Sequence, residues 1–103
     1  MDDLRARRVA ANEAAARRIN ESIDDERVSK GEPGPRWLIC ECAEVDCAEL
    51  LDVGPSKHHE VRSNPRRFIV MPGHQEREFE IVVESTPAYL VVEKTDEAEK
   101  AAS

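Results

Sequence analysis

The sequence predicts an α+β fold: a long N-terminal helix followed by a small, mostly antiparallel sheet with short helices. Three observations lead to it. Residues from about Leu4 to Arg27 are rich in Ala, Arg and Glu and hold no Gly or Pro, a composition of high helix propensity. Beyond Pro35 the apolar residues come in runs of strand length, divided by Pro- and Gly-containing turns. Three cysteines crowd into Cys40-Glu41-Cys42-Ala43-Glu44-Val45-Asp46-Cys47, which is the chemistry of a staple.

In order along the chain, residues 1–28 form the helix. Asp2 and Asp3 suit its positive N-terminal end, and Val9, Asn12, Ala16, Ile19 and Ile23 recur at spacings of three and four, the pattern of a docking seam. Gly and Pro alternate through 29–35, a linker. Trp37-Leu38-Ile39-Cys40 reads as a strand that delivers the first thiol. Glu49-Leu50-Leu51-Asp52-Val53 returns as its partner, so the cysteines sit at a hairpin tip. Gly54-Pro55 opens a short helix to about Arg62, with Pro in the first turn, and Asn64-Pro65 stops it. Phe68-Ile69-Val70-Met71 is a third strand ending at Pro72-Gly73-His74. For 76–84 both periods are present; the match of Phe79, Val82 and Val83 to one helical face favours a short helix, with Glu76, Glu78, Glu80 and Glu84 on its exposed side. Tyr89-Leu90-Val91-Val92-Glu93 is the last strand. Residues 36–94 thus make the domain, and 95–103 a polar, flexible tail.

A domain of this size, in a chain of 103 residues with 4% aromatics, has a small core. The expected core is aliphatic: Leu38, Ile39, Leu50, Leu51, Ile69, Val70, Val82, Val83, Leu90, Val91 and Val92. Charged residues make up 36% of the chain and the net charge is −7, which opposes general affinity for nucleic acid or anionic lipid. The acidic start lacks a secretory signal, and no run is long enough to span a membrane. The expected compartment is the cytoplasm, where thiols stay reduced.

Three thiolates and one imidazole complete a tetrahedral zinc shell of the structural kind. Cys40, Cys42 and Cys47 supply the sulfurs. Glu41, Ala43, Glu44 and Asp46 read as a polar, exposed loop, a poor place for three unliganded thiols; the competing reading is that of small buried core cysteines. The leading fourth ligand is His74, held in its tight turn. His58 is the alternative, although it shares a helix face with Val61 and suits packing.

Other constellations carry less. Lys57, Arg62, Arg66 and Arg67 form a basic stretch that suits phosphate contact, or else a solvated surface balancing nearby glutamates; aromatics for base stacking are nearly absent from it. Arg5, Arg7, Arg8, Arg17 and Arg18 outnumber the three acids up to Arg18, a polarity that fits an acidic partner surface. No phosphate loop, nucleophile elbow or H-E-x-x-H helix is present, so no enzyme activity is expected.

The order Cys40-Glu41-Cys42, Cys47, Val61-Arg62, Pro65-Arg66-Arg67-Phe68, Pro72-Gly73-His74, Val82-Val83-Glu84 and Val91-Val92-Glu93-Lys94 resembles a family of small uncharacterised actinobacterial proteins. Many of these begin with a helix similar to Asn12-Glu13-Ala14 through Ile19-Asn20-Glu21, so the resemblance extends from Asn12 to Lys94. It implies that Cys40, Cys42, Cys47 and His74 belong to one site and that His58 stands where relatives carry an aromatic residue. Ala15 and Ala16 depart from the pattern, standing where relatives are bulkier.

The function these features predict is that of a small zinc-binding protein–protein interaction module, regulatory or assembly in role, with the first helix as contact element. Two rivals are a thiol–zinc redox sensor and a nucleic-acid-contacting module working through Lys57–Arg67.

Overall fold

The computed structural model describes residues 3–95, with side chains from Leu4 onward. The tail expected over 95–103 lies, beyond Thr95, outside the described residues, as do Met1 and Asp2. The elements are α1 (Asp3–Ser29), β1 (Trp37–Ile39), β2 (Leu50–Asp52), α2 (Pro55–Arg62), β3 (Arg67–Val70), β4 (Glu80–Ser85) and β5 (Leu90–Lys94). The fold is α+β.

Two antiparallel sheets form. β1 and β2 pair as a hairpin with Leu38 opposite Leu51 and Ile39 opposite Leu50. The second sheet has the order β3-β5-β4. In its central strand Leu90, Val91 and Val92 are all buried, so both faces are covered, as the unbroken apolar run requires. Phe68, Ile69 and Val70 of β3 join Leu38, Leu51 and Val61 in the main core.

Segment 76–84 is not the expected helix: a turn over 77–79 leads into strand β4 from Glu80. β4 pairs with β5 from Glu80↔Lys94 to Ser85↔Leu90, with a register shift between Val82 and Glu84. That bulge adds a residue and breaks the two-residue alternation that identifies strands. The burial pattern is also inverted: Glu80 is buried, whereas Ile81, Val82 and Val83 on this edge strand are exposed. Glu80 therefore does not belong to a solvated row of acids. Leu50, Val82 and Val83 leave the expected core list for the same reason, and Ile39 is half-buried.

Helix α1 docks on the domain by a different face from the one its apolar residues suggest. Ala6, Ala10, Glu13, Asn20 and Asp24 are buried, with Arg17 completing the alternating four–three spacing. Of the expected seam, Val9 is buried but Ile19 is 50% exposed. Polar groups win this face because each finds a fixed partner below it. The Arg17 guanidinium donates to the backbone oxygens of Arg62 (2.7 Å), Pro65 (3.0 Å), Arg67 (3.0 Å) and Asn64 (3.3 Å), gathering the carbonyls at the end of α2. Its cation also lies 5.4 Å above the Phe68 ring. Near the N-terminal end, Ala6 and Val9 pack with Ala43 and Phe79 in a second, smaller cluster.

Candidate metal centre

The cysteine segment is held on three sides before any ligand is considered. The Cys40 N–H donates to the Glu49 carbonyl at 2.8 Å, extending the hairpin past the end of β1. The Glu41 N–H donates to the Ile69 carbonyl at 2.8 Å, fastening the segment to β3. The Cys47 N–H closes a turn onto the Glu44 carbonyl at 3.1 Å. On the facing loop, the His74 N–H bonds to the Met71 carbonyl at 2.9 Å, so the Pro72-Gly73 turn fixes where the imidazole points.

These constraints bring Cys40, Cys42, Cys47 and His74 together, with their ligand atoms all within 4.8 Å of one another. The four residues are positioned to hold a metal ion. His74 presents Nδ1, which lies 3.7 Å from the Cys40 sulfur and 3.6 Å from the Cys47 sulfur. The Met71 N–H donates to the Cys40 sulfur at 3.2 Å, a bond that favours thiolate. Cys40 and Cys42 are buried and Cys47 is half-buried. Burial pushes the Cys40 thiol well above its ordinary range, and the neighbouring Cys42 and Cys47 add to this against the opposing Met71 bond. Cys42 is raised likewise, first by burial. Three thiols so close cannot ionise together unless a cation stands among them, so metal entry displaces their protons.

Glu41 and Ala43 are buried, which corrects the expectation of a loop exposed throughout; Glu44, Val45 and Asp46 are its exposed part. Glu41 turns inward because both carboxylate oxygens have donors: the Ile69 N–H at 3.0 Å and the Asn20 side-chain amide at 2.8 Å. Burial raises the Glu41 carboxyl above its ordinary range, and these two bonds offset that only in part. Asn20 also exchanges two 3.0 Å bonds with the Ile39 backbone, and Asn12 donates to the Ala43 carbonyl at 2.7 Å. Helix α1 is thus bonded directly to the chain that carries the first two cysteines. The sequence reading missed Asn20, Glu41 and Arg17; the spacing of Glu13, Arg17, Asn20 and Asp24 was the available signal, hidden because it is polar.

His58 stands apart from the metal cluster as a packed core residue. It is buried with no hydrogen-bond partner on either ring nitrogen, and Nδ1 is 3.9 Å from the Asp24 carboxylate. Its neighbour His59 bonds that carboxylate at 3.0 Å. The basic stretch is engaged within the fold: Lys57 with Glu60 and Glu84, Arg62 with Glu21, Asp24 and Asp25, Arg66 with the Lys94 carbonyl, and Arg67 with Glu93. Among the described residues, no helix is long and apolar enough to cross a membrane. Compared with family models, curated proteins and solved structures, the chain matches none, so its chemistry is read from the site's own geometry.

Proposed function

We propose that Cys40, Cys42, Cys47 and His74 bind one zinc ion as a structural centre, and that the protein is a small interaction module with a regulatory or assembly role. The observation that carries the metal assignment is a length. With bonds of about 2.3 Å to sulfur and about 2.0 Å to nitrogen, tetrahedral zinc sets a sulfur and a nitrogen ligand about 3.5 Å apart. The separations from His74 Nδ1 are 3.7 and 3.6 Å. A soft, sulfur-rich set of four suits zinc over magnesium or calcium, which take oxygen. Four protein ligands fill a tetrahedron, leaving no position for substrate, and this supports a structural role over a catalytic one. The interaction role is supported by apolar side chains that the domain leaves uncovered, among them Ile19, Trp37, Val45 and Leu50.

The test is metal content. Untagged protein purified without chelator and weighed by native mass spectrometry should carry one zinc per chain, and Cys47→Ser should lose it. Folded, freshly reduced protein without metal would overturn the assignment.

A further inference from the structure

The metal-binding cluster is not closed on every side. Between α1 and the cysteine segment lies an open cleft of about 190 Å³, walled by Ala15, Ala16, Ile19, Ile39 and Val45 and reaching all three cysteines. The cysteines differ in how far they are open to it. Cys40 is 1% exposed and Cys42 3%, whereas Cys47 is only half-buried and follows the exposed Glu44, Val45 and Asp46. Cys40 has a second protection, because its sulfur accepts the Met71 N–H at 3.2 Å, a bond that lowers the nucleophilicity of a thiolate. With zinc bound all three are thiolates, the form that attacks an electrophile. Access then decides which of them reacts, and access selects Cys47.

The same geometry selects the sulfur that would pair with it. The ligand atoms of the cluster all lie within 4.8 Å of one another, so both other sulfurs are near. Cys42 is hydrogen-bonded to Cys47, whereas Cys40 meets Cys47 through charge alone. Cys40 is also fixed by the hairpin, its N–H bonded to the Glu49 carbonyl at 2.8 Å, while Cys42 opens the turn that carries Cys47. A disulfide between Cys40 and Cys42, with one residue between them, would be strained.

We propose that Cys47 is an oxidation site for hydrogen peroxide, and that its oxidation closes a Cys42–Cys47 disulfide and releases the metal. In the first step the Cys47 thiolate attacks one peroxide oxygen. An S–O bond forms, the O–O bond breaks and hydroxide leaves, giving the sulfenic acid. In the second step the Cys42 thiolate attacks the Cys47 sulfur. The S–S bond forms, the S–O bond breaks and a second hydroxide leaves. The two thiolates have given two electrons to one peroxide, and each hydroxide takes a proton from solvent. Cys40 and His74 remain, two ligands where zinc takes four, and the ion departs. Peroxide is small and uncharged, so the exposed Glu44 and Asp46 beside Cys47 do not repel it. The inference deepens the metal reading above and rests on it, adding the condition under which the centre opens.

The test treats the zinc-loaded full chain with hydrogen peroxide in steps up to a small excess. Zinc release is followed with a chromophoric chelator, and the cysteines are mapped by mass spectrometry after dimedone trapping and alkylation. Expected are a sulfenic acid on Cys47, a Cys42–Cys47 disulfide that forms in step with zinc release, and recovery of zinc binding on adding a thiol reductant. Iodoacetamide should label Cys47 of the zinc-loaded protein about tenfold or more faster than Cys40. Cys47→His, which keeps a ligand atom and removes the sulfur, should slow zinc release by about tenfold or more. A sulfenic acid that appears first on another cysteine, a first disulfide that contains Cys40, or zinc retained after Cys47 is oxidised overturns the proposal. Equal labelling of Cys47 and Cys40 in the wild type also overturns it, whether or not Cys47→His binds zinc. Reduced protein that holds no zinc before peroxide is added refutes the metal assignment, and this inference with it, at the first point of the titration.

Discussion

The Asn20 side-chain amide donates to the Glu41 carboxylate at 2.8 Å, both residues being almost fully buried. One lies near the middle of α1 and the other between the first two cysteines, so helix docking and the metal-binding segment share a single buried bond. Asn20→Ala would also strip the Ile39 N–H and C=O of their partners. Buried groups left unbonded cost about 1–3 kcal/mol each, and a loss of about 3 kcal/mol in urea unfolding of metal-loaded protein is expected. Asn12→Ala, which removes one half-buried bond to Ala43, should cost about 1 kcal/mol.

Arg17 should resist its conservative replacement. Its two terminal nitrogens reach four carbonyl oxygens as a planar fork, and an ammonium has neither the reach nor the geometry to do so. Arg17→Lys is expected to lose about 2 kcal/mol by chemical denaturation although the charge is kept. Equal stability of the two proteins would show that charge alone matters there.

Acid should weaken the fold through His58. Burial, reinforced by Arg62 and His59, holds its imidazole below the ordinary value against the attraction of Asp24. The unfolded chain therefore binds the proton first as pH falls below about 6.5, and stability declines from there until the folded-state value is passed. Asp24 contributes a second limb. Burial pushes its carboxyl up, but the bonds from His59 and Arg62 outweigh this and hold it below the ordinary range. Its contribution is present above about pH 3.9 and is lost as pH falls through the lower folded-state value. Neither ring nitrogen of His58 has a partner, so His58→Leu should flatten the upper limb and leave the lower one. Urea midpoints at stepped pH, compared between wild type and variant, check this.

Two glycines separate backbone strain from collision. Gly31 and Gly34 both have positive φ, at +84° and +127°. A Cβ at Gly31 meets nothing within 4 Å, whereas one at Gly34 would stand 2.5 Å from the Asp24 carboxylate oxygen and 3.1 Å from Pro55 Cβ. Gly31→Ala should cost about 1 kcal/mol from conformation alone. Gly34→Ala should cost clearly more and shift the His59 imidazole resonances, because Asp24 must move.

Much of this architecture is legible in the sequence, for local reasons. α1 and α2, both strands of the hairpin, β3 and β5 each have Gly or Pro beyond at least one end, and the strands carry apolar runs of the right length. The four metal-binding candidates announce themselves by residue type. What is hidden depends on partners distant in the chain. β4 is specified by its pairing with β5 across a bulge at Val83, and its own apolar residues face outward. The docking face of α1 is hidden because apolar periodicity follows Ile19 and Ile23, while Glu13, Asn20 and Asp24 are the residues that go inside. Nothing within the helix shows that carbonyls and a carboxylate wait beneath them.

The grip of Arg17 on four carbonyl oxygens divides the contact unequally between side chain and backbone. A carbonyl is supplied by any residue, so the corner from Arg62 to Arg67 answers to Arg17 through its backbone path and not through its side chains. Substitutions at Pro65 that keep the path leave the helix seated, while Arg17 itself has no substitute. The contact thus constrains the backbone path of the corner and the identity of one side chain, Arg17.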